Sequence, residues 1–327
     1  MKINRIGVIT SGGDVPGLNA ALHAIVLTAM QRNVEVIGIN DGYDGLIEGR
    51  FCTLDFQMVK NVMDEGGTIL RTSRSKLFLQ SKYRKKAFEH LKRADINGLL
   101  IIGGNGSLKG AEIFANQFEY PVMGIPKTID NDIYGTDYAL GFDTAVNTIV
   151  EAIDKIKDTA DSTSRIFIVE VMGRKAGFLA LHSGIAIAAN AIIIPELKPD
   201  IKKLLAGIQH NWRIGNRAMI IVVTENSIPR GGMGLKKIID SKFPKFESRV
   251  TILGHVQRGG SPSAFDRTLA TLLAYHGTLA LLKGNKGKMV GLVGGKIKFT
   301  SLTDAGHKAH VADAELMKIA NEFSVLI

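Results

Sequence analysis

The sequence predicts an α/β protein built as two similar three-layer α/β/α lobes with mostly parallel sheets. Three observations predict it: short β-branched runs alternate with helical patterns, glycine-rich or polar segments follow several of those runs, and a strand-and-loop segment recurs in the second half. The runs are Ile6 to Ile9, Val34 to Ile39, Leu99 to Ile102, Val122 to Ile125, Ile166 to Glu170, Ile192 to Ile194, Met219 to Val223 and Val250 to Leu253. Continuous apolar runs of this kind suit strands covered on both faces, as parallel strands are.

Between the runs the period changes to that of a helix. Residues 143–160 place Val146, Ile149, Val150, Ile153 and Ile156 on one stripe, with Asp143 as the expected N-cap. The basic run Lys82-Tyr83-Arg84-Lys85-Lys86, extended by Lys92 and Arg93, carries Ala87, Leu91 and Ala94 at helical spacing and reads as the solvated face of a helix. It has neither stacking aromatics nor a nucleic-acid motif, so nucleic acid is not expected as a partner. Ala176 to Pro195 has no Asp, Glu, Lys or Arg, but His182, Ser183, Gly184 and Asn190 interrupt it. A buried helix over 175–189 followed by a strand over 191–194 is expected there, not a membrane span.

Laid on each other without gaps, R-I-G-V-I-T-S-G-G-D-V-P-G-L-N-A from Arg5 and R-I-F-I-V-E-V-M-G-R-K-A-G-F-L-A from Arg165 share Arg, Ile, two glycines and Ala. L-L-I-I-G-G-N-G-S from Leu99 and M-I-I-V-V-T-E-N-S from Met219 form a second, weaker pair. With 327 residues to bury, two lobes are the expected organisation. In open α/β sheets ligands bind beyond the carboxyl ends of strands, which sets the expected active site in a cleft between the lobes.

Charge and cysteine content narrow the function. An excess of 41 basic over 31 acidic residues favours anionic partners. Cys52 is the only cysteine, which excludes an intrachain disulfide and points to the reducing cytoplasm. The first run begins at once, with no cleavable leader pattern, so export is not expected.

Phosphate chemistry is the common theme of the loops. Ser11-Gly12-Gly13-Asp14-Val15-Pro16-Gly17 and Gly103-Gly104-Asn105-Gly106-Ser107 each follow a strand, and small residues there let backbone N–H groups approach an anion. Neither is a P-loop or a strict dinucleotide fingerprint. Two such cradles fit a polyphosphate donor. Pro126-Lys127-Thr128-Ile129-Asp130-Asn131-Asp132 sets two carboxylates and a hydroxyl beside a lysine: one carboxylate can take the proton of an acceptor hydroxyl while the other orients it or places a metal. In the second half, Met172-Gly173-Arg174 and Gly254-His255-Val256-Gln257-Arg258-Gly259-Gly260-Ser261-Pro262 offer cations at strand ends. With Arg165 and Arg249 they are expected to clamp an acceptor phosphate.

Taken in order, S-G-G-D-V-P-G-L-N-A, G-G-N-G-S, T-I-D-N-D, E-V-M-G-R and L-G-H-V-Q-R-G-G-S-P resemble the motifs of bacterial-type 6-phosphofructokinase over essentially the whole chain. The resemblance implies a cytoplasmic homotetramer of two-lobed subunits, with active sites shared between subunits, that transfers the ATP γ-phosphoryl to the 1-hydroxyl of fructose 6-phosphate with Mg2+. It implies a larger, nucleotide-binding lobe of residues 1–141 with 257–307 and a smaller, sugar-phosphate-binding lobe of residues 142–256 with 308–327. Carried over by motif, Asp130 resembles the catalytic base, flanked by Thr128 and Asp132, with Arg174 stabilising the transferring group and Lys127 adding positive charge. Met172, Gly173, Glu225, His255 and Arg258 match sugar-phosphate contacts, and Arg165 and Arg249 match residues that reach the sugar phosphate from a neighbouring subunit. Gly13, Tyr43, Arg74, Ser75, Gly106 and Ser107 match nucleotide contacts, with Phe78 near the adenine.

Three departures accompany the resemblance. Asn105 stands where ATP-dependent members usually have a metal-serving Asp, leaving Asp132 as an indirect metal partner. Lys127 replaces a common glycine and is typical of pyrophosphate-dependent relatives, yet Gly106 keeps the room that those relatives usually fill with Asp. His23, Leu27, Phe56 and Asn190 occupy positions that are rich in cations in the family's effector pocket, so control by ADP or phosphoenolpyruvate is expected to be weak or absent. A pyrophosphate-dependent enzyme and a catalytically impaired, sugar-phosphate-binding regulatory paralogue are the alternative readings.

Overall fold

The computed structural model describes residues 3–324, and the chain divides into two compact units, Met1–Thr144 with Arg258–His310 and Ala145–Gln257 with Val311–Ile327. Its strands in chain order are β1 (Arg5–Ser11), β2 (Glu35–Ile39), β3 (Phe51–Thr53), β4 (Gly98–Gly103), β5 (Val122–Pro126), β6 (Ile166–Val171), β7 (Ala191–Ile193), β8 (Met219–Thr224), β9 (Ser248–Ile252), β10 (Lys288–Val293) and β11 (Lys296–Ser301).

The first unit is a seven-stranded sheet in the order β11-β10-β5-β4-β1-β2-β3, parallel from β10 to β2 and antiparallel only at its two edges. Every residue of β4 is buried, as its unbroken apolar run requires of a central parallel strand. One core of this unit joins Ile9, Leu99 and Ile101 from the sheet to Leu46, Leu91, Leu108 and Phe114 from the helices over it. The second unit is a four-stranded, wholly parallel sheet in the order β7-β8-β6-β9. Its core joins Ile166, Ile168, Ile221 and Val223 to Leu204, Ile208, Leu235 and Ile239.

The recurring segments of the sequence are sheet neighbours in both units: β1 pairs with β4 and β6 with β8, each time in parallel. Three strands escape the pattern of apolar runs. The three-residue β3 is too short to show one, and β10 and β11 form a hairpin over Gly294 and Gly295, both at positive φ as a two-residue turn requires. Lys296 and Lys298 on the outer strand β11 put charge on the exposed edge of the sheet.

The helices follow the predicted stripes with local corrections. Phe142–Thr163 begins one residue before Asp143, which sits in the first turn and accepts a 2.5 Å bond from the Ser263 hydroxyl. The basic stretch is the helix Ser81–Arg93, but Arg84 turns inward: its Nε donates to Gln117 Oε1 at 2.7 Å and its Nη1 to the Phe78 carbonyl at 2.9 Å. Residues 176–195 contain the short helix Phe178–Ala186 and β7. Among the described residues no helix is long and apolar enough to cross a membrane.

Candidate functional site

In the first unit, β1, β4 and β5 lie side by side, so the loops that leave their carboxyl ends meet. Ser107, in the first turn of the helix Asn105–Phe118, donates from Oγ to Ser11 Oγ at 2.9 Å and so ties the two glycine loops together. Thr72 Oγ1 donates to the Gly12 carbonyl at 2.9 Å and Gly12 N donates to the Ser73 carbonyl at 3.1 Å, which brings the 72–75 segment alongside. Arg74 is exposed at this place, and Ser75 Oγ accepts from Phe78 N at 3.2 Å.

At Gly13 the Arg258 guanidinium occupies the place a Cβ would take, so a larger residue there would have to push that side chain aside. Gly106 is different: it is exposed, and among the described residues nothing beyond its own helix and chain neighbours comes within 4 Å of the place a Cβ would take.

Tyr43 and Phe78, matched above to the nucleotide side, lie beneath the second glycine loop. Their rings stack at 3.9 Å and are 5% and 3% exposed, and the Tyr43 hydroxyl donates to the Ser107 carbonyl at 2.6 Å. Burial pushes that hydroxyl well above the usual tyrosine range. The two rings support Ser107 from within the core.

Lys127 follows β5 directly and is 3% exposed. Its Nζ donates to the Gly13 carbonyl, and burial, reinforced by Arg258 and Arg74, brings its pKa down to about 7 against the opposing pull of Asp14 and Asp130. Arg258 donates to Asp14 Oδ1 at 2.8 Å and to the Asp14 carbonyl at 2.9 Å, so it belongs with the first glycine loop.

Asp130 is buried at 8% exposure, and its backbone N–H donates to Thr128 Oγ1 at 3.1 Å, leaving the hydroxyl proton of Thr128 uncommitted by that bond. The turn between the two aspartates is made by Asn131 at φ 52°, whose side chain accepts from Ala139 N at 2.8 Å and donates to the Asp137 carbonyl at 2.8 Å. Asn tolerates this left-handed conformation better than most residues.

Asn105 Nδ2 donates to Asp132 Oδ2 at 2.8 Å. A carboxylate only accepts, so the amide nitrogen must face Asp132, and Oδ1 points into buried surroundings with no hydrogen-bond partner. An orphaned oxygen beside a carboxylate suits a cation that keeps most of its ligands from phosphates and water. Among the described residues no group of three or more His, Cys, Asp or Glu side chains is arranged to hold a metal by itself.

The second unit builds its own cluster at the carboxyl ends of β6 and β8. Met172 N donates to Gln257 Oε1 at 3.1 Å, and Arg174 N to Glu225 Oε1 at 3.2 Å. Gly173 has φ 138°, and a Cβ there would meet the Ala176 carbonyl and Thr224 Cγ2. Arg174 and His255 are exposed. Gln257, wholly buried, also donates to the Gly254 carbonyl at 2.9 Å and so joins the turn Gly254–Arg258 to Met172.

Arg165 and Arg249 do not join this cluster, which corrects the four-cation clamp expected from strand-end spacing. Arg165 immediately precedes β6, and Arg249 stands opposite Phe167, so both lie at the amino edge of the sheet. The six residues of β6 separate that edge from Met172, roughly 20 Å at the rise of a strand. Of the expected effector-pocket positions, His23 and Leu27 line a cavity of about 670 Å3 in the first unit, and Asn190 in the second accepts from Ile220 N at 2.7 Å.

Sequence reasoning missed Asn131, Gln257, His310 and Asp266. His310 Nδ1 lies 2.9 Å from the Asn131 carbonyl, and its N–H donates to the Asp132 carbonyl at 3.0 Å. Asp266, fully buried, accepts from Gly141 N, Thr144 N and Thr144 Oγ1 at 2.9, 2.9 and 2.5 Å. The D-N-D turn was a signal for Asn131 and the H-V-Q-R segment one for Gln257; His310 and Asp266 have side-chain partners remote in sequence and carry none.

The phosphofructokinase family model matches residues 5–281. ATP-dependent 6-phosphofructokinase 1 of Thermus thermophilus is 47% identical over 318 residues, 97% of this chain and 98% of that protein. ATP-dependent 6-phosphofructokinase 2 of Bacteroides thetaiotaomicron is 43% identical over 99% of both chains. Among solved structures, Pichia pastoris phosphofructokinase in the T-state superposes with a TM-score of 0.88 at 32% identity, covering 99% of this chain and 37% of the longer yeast chain. A pyrophosphate-dependent phosphofructokinase from Marinobacter aquaeolei shares the fold, with a TM-score of 0.82 at 21% identity. On the match of the family model to most of its length and of full-length relatives above 40% identity, the chain belongs to the phosphofructokinase family.

Proposed function

We propose that this chain is an ATP-dependent 6-phosphofructokinase, transferring the γ-phosphoryl of ATP to the 1-hydroxyl of fructose 6-phosphate to give fructose 1,6-bisphosphate and ADP in glycolysis. The names of its full-length relatives support this activity. The observation that carries the choice of donor is Gly106, where the chain leaves open space at the start of a phosphate-cradling helix. The reading draws its donor residues, Gly13, Arg74, Ser75, Gly106 and Ser107, from the first unit and its acceptor residues, Met172, Gly173, Arg174, Glu225 and His255, from the second.

Asp130 accepts the proton of the 1-hydroxyl as that oxygen bonds to the γ-phosphorus and the bond to the ADP oxygen breaks. Thr128 orients the base through its loop, Arg174 offers positive charge to the group in transfer, and Arg258, held by Asp14, borders the donor loop. Lys127, kept largely out of water, steadies Gly13 through its bond to that carbonyl and sets a cationic group beside the incoming polyphosphate. Mg2+ bound with ATP would neutralise phosphate charge, and Asn105 Oδ1 and Asp132 are the residues that would hold it. The remainder of the proposal is a cytoplasmic homotetramer in which Arg165 and Arg249 serve the sugar phosphate of a neighbouring copy; their place at the amino edge of β6 and β9 agrees with their absence from the Met172 cluster.

A coupled assay with fructose 6-phosphate and either Mg-ATP or Mg-pyrophosphate tests the reading. Turnover with ATP at least tenfold above pyrophosphate is expected, and Asn105→Asp should lower the Mg2+ concentration needed for half-maximal rate. Faster turnover with pyrophosphate would transfer the assignment to that donor. Fructose 6-phosphate binding without turnover on either donor would make the chain a binding subunit.

A further inference from the structure

The amino edge of the second sheet holds a three-residue charge cluster. Glu247 stands beside Arg165 across the β6 and β9 pairing, with Ile166 N donating to the Glu247 carbonyl at 3.1 Å, and Arg249 follows two residues later, on the same face of its strand. Arg165 Nε donates to Glu247 Oε2, and Arg249 Nη2 lies 3.6 Å from that same oxygen. One carboxylate oxygen therefore serves both guanidinium groups.

The way it serves them matters. Among the described residues, the Arg165 side chain engages Glu247 alone, through Nε, while the terminal N–H groups that form the end-on fork of a guanidinium carry no bond. Arg249 makes an ion pair without a hydrogen bond. The Asp240 carboxylate also acts on Arg249 but is itself paired with Lys236, so the group as a whole stays net positive. All three side chains are partly or largely open to water, at 32% for Arg165, 52% for Arg249 and 57% for Glu247, so an incoming anion can reach the fork without displacing the carboxylate.

We propose that Glu247 is a positioning residue that holds Arg165 and Arg249 together as one anion-receiving pair for the phosphate of the acceptor sugar. This rests on the reading of the chain as a 6-phosphofructokinase. A long arginine side chain loses rotamer freedom when it grips a ligand, and a carboxylate that already holds it removes part of that loss before the ligand arrives. The contribution falls on binding, since Glu247 acts only through the two arginines that receive the phosphate of a neighbouring copy's sugar.

The test compares wild type, Glu247→Ala and Glu247→Gln in the coupled assay, with the fructose 6-phosphate dissociation constant by calorimetry and thermal unfolding alongside. An exposed ion pair of this kind predicts about a two- to fivefold rise in KM and dissociation constant for Glu247→Ala, with kcat and unfolding temperature unchanged. Glu247→Gln, whose amide oxygen still accepts from Nε, should fall between the two. An unchanged or lowered KM would overturn the proposal, the latter by making Glu247 a competitor of the phosphate. A fall in kcat that tracks lost thermal stability would reduce Glu247 to a scaffold residue. Absence of wild-type turnover is the separate result that removes the kinase reading itself.

Discussion

The two units share a parallel layout but hold their functional side chains in opposite ways. In the first, Lys127, Ser107, Asp130 and Asn131 are buried and fastened to neighbouring loops before any ligand arrives. In the second, Arg174, His255, Glu247 and Arg249 are exposed, and the fixed contacts of the Met172 cluster are made largely by backbone N–H groups. A donor carrying several negative charges on a flexible chain needs a rigid cradle, since catalysis of phosphoryl transfer is mostly positioning and charge placement. Exposed arginines can adapt to a small acceptor. Damage to the first unit should therefore show in chemistry and stability, and damage to the second mainly in affinity.

The sharpest way to break this contrast is Asp130→Asn. The amide keeps the size of the side chain but cannot take a proton, and loss of a general base costs about 10²- to 10⁴-fold in rate. We expect kcat to fall within that range in the coupled assay, with the KM for fructose 6-phosphate altered less than threefold. A decrease in kcat smaller than tenfold would remove Asp130 from the chemistry.

Much of the first unit's chemistry was legible because its residues are contiguous. Lys127, Thr128, Asp130 and Asp132 share one heptapeptide, and β4 announces its glycine loop by an unbroken apolar run. The second unit was legible in its strands and less so in its site. Arg165 precedes β6 and Met172 follows it, so their separation was already implied by chain order; recurrence of cations at strand ends had suggested that they converge. The stacking of Tyr43 on Phe78 was not legible, because an aromatic side chain beneath a loop and one facing outward have the same local sequence. Asp266 was invisible for a stronger reason: its partners lie more than 120 residues away, and only the folded chain brings them together.

Asp266 offers the next largest effect, on stability. Its carboxylate is fully buried and burial pushes its pKa up, although bonds from the Thr144 side chain, Thr144 N and Gly141 N oppose that shift. Asp266→Ala would leave two buried backbone N–H groups without an acceptor, at about 1–3 kcal/mol each. A loss of roughly 3 kcal/mol is expected in the denaturant-unfolding transition of the first unit, with the far-UV spectrum retained. A loss below about 1 kcal/mol would mean that water replaces the carboxylate, and that the first unit is less tightly fastened than its contacts imply.

Lys127 gives the smallest effect over any single pH unit and the most specific one. Its pKa in the folded protein, about 7, lies below its ordinary value of 10.5 because burial disfavours the ammonium, with Arg258 and Arg74 adding repulsion. Between these two values the unfolded chain binds more protons at this residue than the folded one, so this residue makes stability rise with pH across the window, by up to about 1.4 kcal/mol per pH unit. Below pH 7 the lysine is protonated in both states and the slope vanishes. Lys127→Met keeps the length of the side chain and removes the titration, so its stability relative to wild type should be highest below pH 7 and decline steadily from pH 7 to pH 10. Unfolding free energies of both proteins across that range check it. A constant difference would show that Lys127 keeps its charge on folding, and would place the donor loop of the first unit in contact with water, as open as the arginines of the second.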